Sequence, residues 1–221
     1  MGGWTNKATG SYSAVLGGQN NVATGAYSVA LGRRAKVLSK GSFVFSDGTD
    51  ADFASGVDNE FIVGAIGGIG FYTSKPFYGT GCYISPGGGT WNCTSDRATK
   101  SDVAGIDATD VLDRLATVPI STWRFSGEPD HIRHIGPMAQ DFRAAFGLGH
   151  DEKSIATVDA QGIALAAIQG LHKLILARDE QIGRLEAKLA ELSRVVRAAP
   201  AATVKSSARS TREPKPTRAA R

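Results

Sequence analysis

A serine and a lysine five residues apart, Ser95 and Lys100, could together carry out covalent chemistry, although this spacing alone occurs by chance in most chains. A serine hydroxyl becomes a nucleophile when a base takes its proton, and a neutral lysine amine can be that base. Along an α-helix five residues turn through about 500°, leaving the side chains roughly 140° apart, and on a strand they face opposite sides. The two groups therefore meet only if the chain bends, and Asp96 favours an Asx-turn there. The residues leave open a second interpretation, in which Ser95 or Asp96 caps a turn and Lys100 lies in solvent.

Other reactive groups give no further chemistry. Cys82 and Cys93 are the two cysteines, and no Cys/His spacing fits a zinc site, so we predict no metal and no cofactor. The two cysteines form either a loop disulfide or two buried thiols. His131 and His134 could act as acid–base groups, but we favour a strand position near the core for His134. No phosphate loop, nucleotide fingerprint or convincing carboxylate pair predicts an enzyme acting on an external substrate.

A short repeat dominates the N-terminal part. Residues 8–17 recur as residues 23–32, with an offset of 15 residues and seven of ten positions identical, and a degraded third copy follows at residues 41–45. A fixed short period of glycine, small residues and alternating apolar positions predicts stacked β coils. Two clear copies are too few for a stable solenoid, so we expect other chains to supply the missing burial, as in a fibre.

A heptad pattern dominates the C-terminal part. From Asp159, a plausible N-cap, a helix is predicted to run to Pro200. The a positions are Ile168, Ile175, Ile182, Leu189 and Val196, and the d positions are Leu171, Arg178, Leu185 and Leu192. Ile at a with Leu at d leans towards a dimer, and Arg178 in a core position adds specificity at a cost in stability. The pattern is stronger evidence for self-association of the helix than for the number of copies that associate. The alternative is one amphipathic helix that packs on its own domain.

The charge distribution separates a tail from the body. Seven Lys/Arg and one Glu lie between Arg197 and the end of a chain whose net charge is +4. This tail is predicted to be disordered and solubilising, with weak binding to anionic surfaces as the alternative. The body has no basic stripe with interleaved aromatics, so we predict no nucleic-acid interface. We find no signal-peptide pattern and no apolar run of about 18 residues, and expect a soluble chain without a membrane span.

The middle of the chain is predicted to be mixed. Short apolar runs between glycines over residues 46–92 indicate strands and turns. A helix is expected from a cap at residues 107–109 to Pro119, followed by a strand with Trp123 and Phe125 on one face. Residues 131–136 are its predicted hairpin partner, and a short helix over residues 138–146 ends at Gly147.

Two family resemblances follow from these residues. The repeats resemble the head repeats of trimeric autotransporter adhesins, which stack into a parallel β-roll. The stretch from Cys93 to about Val196 resembles the C-terminal intramolecular chaperone domain of phage endosialidase tailspikes and tail fibres, a serine–lysine self-cleaving peptidase family. The matching blocks are Thr94-Ser95-Asp96-Arg97 with Lys100, Val111-Leu112-Asp113-Arg114-Leu115, Pro119-Ile120-Ser121-Thr122-Trp123-Arg124, His134-Ile135-Gly136-Pro137-Met138-Ala139-Gln140-Asp141-Phe142, and Val158-Asp159 followed by Gly162-Ile163-Ala164-Leu165-Ala166-Ala167-Ile168-Gln169-Gly170-Leu171.

The second resemblance implies a role for several residues. In that family the domain trimerises the fibre before it and then cuts itself off, which makes Ser95 the nucleophile and Lys100 its base. Asp96, Arg97 and Gln140 are the implied supporting residues. The family commonly reads Ser-Asp-x-Arg-x-Lys, whereas this chain has Ala98 at the arginine position and its arginine one place earlier. Since a lysine in water keeps its proton up to a pH of about 10, we hypothesise that subunit packing buries Lys100 and makes cleavage conditional on assembly.

The expectation is thus a mixed α+β homotrimer. Its predicted segments are β-roll repeats (1–45), a Gly-rich β segment (46–92), an α+β chaperone and self-cleaving domain (93–160), a coiled-coil helix (161–198) and a basic tail (199–221). We predict a fibre tip protein that cleaves itself at Thr94-Ser95, with a non-cleaving trimeric adhesin or a glycan-binding tip as alternatives. The expected location is a phage tail fibre or a bacterial surface, reached by export or lysis after cytoplasmic synthesis, with a host glycan or receptor as partner.

Overall fold

The protein is described by a computed structural model that covers residues 3–75 and 78–198. The chain divides into two compact units, of which the first ends at Val103 and the second begins at Ala104. The first unit is built from strands, and the second contains three α-helices and a two-stranded hairpin. The mixed α+β class is therefore confirmed. The predicted basic tail, residues 199–221, lies outside the described residues.

The first unit begins with a β-solenoid of about four turns. One parallel sheet contains β1 (Gly3–Trp4), β3 (Ala14–Gln19), β5 (Val29–Arg33), β7 (Phe43–Ser46) and β9 (Phe61–Gly64). The other contains β2 (Lys7–Ala8), β4 (Val22–Ala23), β6 (Ala35–Val37) and β8 (Phe53–Ala54). Each strand pairs with the equivalent strand of the next coil, as the repeat predicts.

The stack extends beyond the predicted end of the repeats. β9 pairs with β7 in parallel, so the coils continue to Gly64 rather than stopping near residue 45. The reason is a change of period, because Phe43 pairs with Phe61 whereas Ala14 pairs with Val29. The added residues form the loop 47–52, and a fixed period cannot detect a coil of different length.

Small side chains fill the interior of the solenoid. Its buried cluster consists of Val15, Ala23, Ala30, Ala35, Val37 and Val44. Asn21 is fully buried among them, and its side chain is satisfied by the following coil, because its Nδ2 donates to the Gly32 carbonyl and its Oδ1 accepts from the Ala35 N–H. Gly32 has a φ of +103°, and a Cβ there would collide with the Ser46 carbonyl oxygen. Close stacking of the coils therefore requires glycine at this corner.

A three-stranded antiparallel sheet follows the solenoid. It consists of β10 (Ile69–Tyr72), β11 (Gly81–Ile84) and β12 (Trp91–Cys93). Cys82 and Cys93 are directly opposite on β11 and β12 and form a disulfide. Of the two alternatives left open by the sequence, the disulfide is the one present.

The second unit is a small helical core with a hairpin. It contains α1 (Ala108–Thr117), β13 (Ser121–Trp123), β14 (His134–Gly136), α2 (Ala139–Phe146) and α3 (Thr157–Ala198). Its buried cluster consists of Val111, Phe142, Ile163 and Ala166. The predicted α1 cap is confirmed, since the Asp107 carboxylate accepts from the Thr109 N–H, and α2 ends at Gly147 with a φ of +67°. Asp159 is not the N-cap of α3, because the helix already begins at Thr157.

The long helix α3 has two different apolar faces. Ile163, Ala166, Ala167 and Gly170 are buried, and α1 is the helix packed on this part of α3. The a and d residues lie on the other side and are exposed, including Ile168 at 61%. By length and composition alone α3 could cross a membrane, because an 18-residue window has a mean hydropathy of 1.3, with 22% of it buried. This differs from the expectation drawn from apolar runs, and the physical reason is that both faces are apolar here.

Candidate functional site

A tight turn joins β12 to the residues that carry the proposed chemistry. Asp96 precedes a 3-10 turn, Arg97–Thr99, and its carboxylate accepts from the Ala98 N–H at 2.9 Å. The Thr99 hydroxyl donates to the Asp96 carbonyl at 2.8 Å, and the Lys100 N–H donates to the Arg97 carbonyl at 3.1 Å. The chain then leaves the turn in extended conformation at Lys100. Asp96 thus supplies the bend that a contact between Ser95 and Lys100 requires.

The turn places the serine and the lysine in direct contact. The Lys100 Nζ donates a hydrogen bond to the Ser95 Oγ over 2.7 Å. This distance is within the range needed for proton transfer between a nucleophile and its base. Both residues are exposed in the single chain. Transfer of the serine proton to Lys100 requires a lysine amine that has lost its own extra proton.

The peptide before Ser95 is anchored on its N-terminal side. The Thr94 N–H donates to the Gly81 carbonyl at 2.9 Å, and the Thr94 hydroxyl donates to the same oxygen at 3.2 Å. The residue before it, Cys93, is tied to Cys82 by the disulfide. The Thr94–Ser95 peptide therefore follows directly from a covalently closed sheet. Sequence reasoning did not identify this anchor; the position of Cys93 two residues before the serine was the available signal.

The positions of the predicted supporting residues say less about their roles. Arg97 lies in the 3-10 turn, and within residues 3–75 and 78–198 its side chain has no hydrogen-bond or ion-pair partner. Ala98 offers only its backbone N–H to the turn. Gln140 is the second residue of α2 and is exposed in the second unit. The supporting roles of Arg97 and Gln140 stay predictions.

The hairpin of the second unit contains His134, which contacts a carboxylate and an aromatic ring. His134 lies on β14, with its Nε2 3.0 Å from both carboxylate oxygens of Glu128 and its ring 4.7 Å from that of Trp123. The Phe125 N–H, and then the His134 ring, lower the pKa of the Glu128 carboxyl. This hairpin position agrees with the strand interpretation. Among the described residues no group of His, Cys, Asp and Glu could hold a metal ion.

Stacked aromatic rings line a corner of the solenoid. Tyr12 and Tyr27 both have positive φ, near 60°, and their rings stack with centroids 5.0 Å apart and an interplanar angle of 9°. They are 80% and 58% exposed. The Tyr12–Tyr27 pair therefore packs on itself while keeping an open surface.

In the antiparallel sheet Phe71 packs against Trp91 with ring centroids 5.6 Å apart. Tyr72 of the same sheet meets Tyr78 edge-on.

Part of the chain matches a known protein family. Residues 95–147 match the family described as chaperone of endosialidase, Peptidase_S74. The match begins at Ser95 and includes Lys100 and the blocks from Val111 to Phe142, which supports a chaperone domain in this part of the chain. It suggests a trimerisation role related to tail fibres. A search of curated proteins found no match to the chain.

Proposed function

We propose that this chain is a fibre protein whose C-terminal part acts as an intramolecular chaperone, drives trimerisation and then cleaves itself off between Thr94 and Ser95. The observation that carries the proposal is the 2.7 Å contact between the Lys100 Nζ and the Ser95 Oγ at the first residue of the family match. The proposed setting is a tail fibre of a phage or prophage, or a bacterial surface fibre, at the host-facing tip.

The proposed reaction is an acyl shift followed by hydrolysis. The Ser95 Oγ attacks the Thr94 carbonyl carbon while its proton passes to the neutral Lys100 Nζ. The peptide C–N bond then breaks, the Ser95 nitrogen leaves as an amine with that proton, and an ester joins the Thr94 acyl group to the Ser95 oxygen. Water cleaves the ester to give a Thr94 carboxyl and a free Ser95 hydroxyl. The anchored Thr94 N–H keeps the attacked carbonyl next to the turn.

Lysine protonation links this reaction to assembly. In the single chain Lys100 is exposed, and water favours the charged form of an exposed lysine. Burial disfavours that form, so packing of neighbouring copies over the turn would release the proton and activate the serine. Cleavage would then follow trimerisation rather than precede it, which suits a chaperone that must not leave too early.

The exposed apolar surfaces support the assembly role. The outer side of the first solenoid sheet carries Leu16 at 56% and Phe61 at 68% exposure, and the a and d residues of α3 are exposed throughout. Large contiguous apolar surface on a soluble chain usually marks an interaction site. Three copies would cover both surfaces in a parallel arrangement.

The test separates cleavage from assembly. Ser95→Ala and Lys100→Ala are expected to stay whole, and the wild type to give fragments of 94 and 127 residues by mass spectrometry. Lys100→Arg keeps a cation that cannot lose its proton and should also stay whole, whereas the neighbouring Ser101→Ala should cleave normally. Light scattering on the same samples is expected to show trimers. A wild type that stays whole as a trimer refutes the peptidase role alone, and a monomeric Ser95→Ala chain refutes the assembly role.

Two alternatives remain, and the same samples separate them. A non-cleaving structural adhesin segment corresponds to the trimer that stays whole. A glycan-binding tip is favoured by the open, stacked surface of Tyr12 and Tyr27. For that function, binding in a glycan screen should fall on replacing both tyrosines with alanine, and no binding by the wild type refutes it.

A further inference from the structure

The C-terminal two thirds of α3, residues 171–198, is exposed along its whole length within the part of the chain that the structure describes. The apolar a and d residues in this segment are 46–72% exposed: Leu171, Ile175, Ile182, Leu185, Leu189, Leu192 and Val196. Helices in water draw most of their stability from packing of an apolar face, so this stripe needs a partner helix. A second copy of the same helix presents the complementary stripe.

A charged pair interrupts the stripe. Arg178 occupies a d position, and Asp179 occupies the next position, e. In a parallel coiled coil a d side chain enters a hole in the neighbouring helix, and e residues flank the core and form interhelical ion pairs. Association in register therefore brings the Arg178 guanidinium of one copy to the edge where Asp179 of the next copy lies.

Neither charge has an ion-pair partner among the described residues of its own chain. The Arg178 Nη1 donates to the Gln181 Oε1 at 3.1 Å, which is a neutral acceptor. Over residues 3–75 and 78–198 Asp179 makes no ion pair or side-chain hydrogen bond. An e residue usually pairs with a g residue of the neighbouring helix five positions earlier, but that position is Leu174 here. Arg178 is thus the cation available to Asp179 across the interface.

We propose that Arg178 and Asp179 of neighbouring copies form a ring of interchain ion pairs that sets the parallel, in-register arrangement of the coil. The inference rests on the trimerisation in the proposed function. A slip of one heptad in one direction puts Arg178 beside His172, which offers no carboxylate. If one pair of copies slips by a heptad in the other direction, another pair must slip in the first direction, because the three copies close into a ring. Misregister therefore leaves at least one charge in the core without a partner, which is costly.

The chain offers a matched control for the test. Glu180 is also acidic but lies at an outward f position, where it pairs with Arg184 of its own chain at 3.6 Å. Asp179→Asn and Glu180→Gln each remove one negative charge, from the interface and from the outer surface respectively. Arg178→Leu removes the charge from the core layer. All variants carry Ser95→Ala so that every chain stays whole.

The experiment measures molar mass by light scattering over a dilution series. Asp179→Asn is expected to raise the concentration of half-dissociation by about tenfold or more. Glu180→Gln should change it by less than about twofold. Arg178→Leu should associate at least as tightly as the parent, and in that background Asp179→Asn should have no further effect. Equal effects of Asp179→Asn and Glu180→Gln in a trimeric parent would overturn the inference alone, whereas a monomeric parent would overturn the proposed assembly role.

Discussion

Removal of the Cys82–Cys93 disulfide is the perturbation whose size follows most directly from the structure. The disulfide joins opposite residues of β11 and β12 and closes a loop with a sequence separation of 11. Loop-closure entropy for that length gives about 3 kcal/mol at 25 °C. Because β12 has only three residues and leads into Thr94, we expect the loss to appear as local opening of this strand.

Hydrogen exchange of single amides measures that opening. The Thr94 N–H, which is bonded to the Gly81 carbonyl, should exchange about a hundredfold faster in the Cys82→Ala, Cys93→Ala double variant, since each 1.4 kcal/mol corresponds to about tenfold. The Ala14 N–H, bonded to the Ser28 carbonyl in the solenoid, is the internal control and should not change. Both variants carry Ser95→Ala so that the strand stays part of the whole chain.

Two results would refute this reasoning. An exchange rate at Thr94 within about threefold of the parent would mean that the hydrogen bonds of the sheet suffice without the disulfide. An equal acceleration at Ala14 would mean that the disulfide stabilises the whole unit rather than the strand. If the anchor also positions the scissile peptide, the double variant with Ser95 restored should cleave more slowly than the wild type.

Three further perturbations test the two cores and one helix cap. Phe142→Ala should lower the free energy of unfolding of the second unit by about 3–5 kcal/mol, and Phe125→Ala, at 59% exposure, by less than about 1 kcal/mol, both in urea titrations. Gly32→Ala should disrupt coil stacking and lower the melting temperature, whereas Gly48→Ala, which meets no atom within 4 Å, should not; equal melting of the two would contradict the steric argument. The backbone N–H groups of Thr109 and Asp110 lower the pKa of the Asp107 carboxyl, so its cap stabilises α1 above about pH 4 and is lost as the pH falls through the lowered pKa. Circular dichroism between pH 7 and 2 should show this loss, and Asp107→Asn should flatten it; an unchanged acid transition in Asp107→Asn would exclude the cap as its source.

The fold could be predicted from the sequence where it depends on a local pattern. It could not be predicted where it depends on contacts between residues far apart in the chain. The 15-residue offset of the first two copies predicts parallel coils, and the structure has them. The last coil was missed because the loop 47–52 changes the spacing. That loop is stabilised by ion pairs to the preceding coil, in which Arg34 contacts Asp52 at 2.7 Å and Asp50 at 3.2 Å. Such pairs become visible only after the coils are stacked.

The candidate site likewise has a part that could be predicted from neighbouring residues and a part that could not. Its bend could be inferred from Asp96, because an Asx-turn depends on a residue and its nearest neighbours. The Thr94 anchor could not, since the Gly81 carbonyl reaches Thr94 through the pairing of β11 with β12. The effect of Ala98 in place of the family's arginine is likewise not a local property, because it depends on what that guanidinium would have contacted.

The distribution of apolar residues connects stability with assembly. The described residues form two small buried clusters, one of alanine and valine in the solenoid and one around Phe142 in the second unit. Many of the larger aliphatic side chains are instead exposed, among them the apolar a and d residues of α3. A need for solubility alone does not explain apolar residues that recur at heptad spacing along a segment that is exposed within the described part of the chain. We therefore interpret the periodic exposed stripe of α3 as a surface for packing between copies, and we expect such packing to cover the turn at Ser95 and Lys100, which is exposed in the single chain.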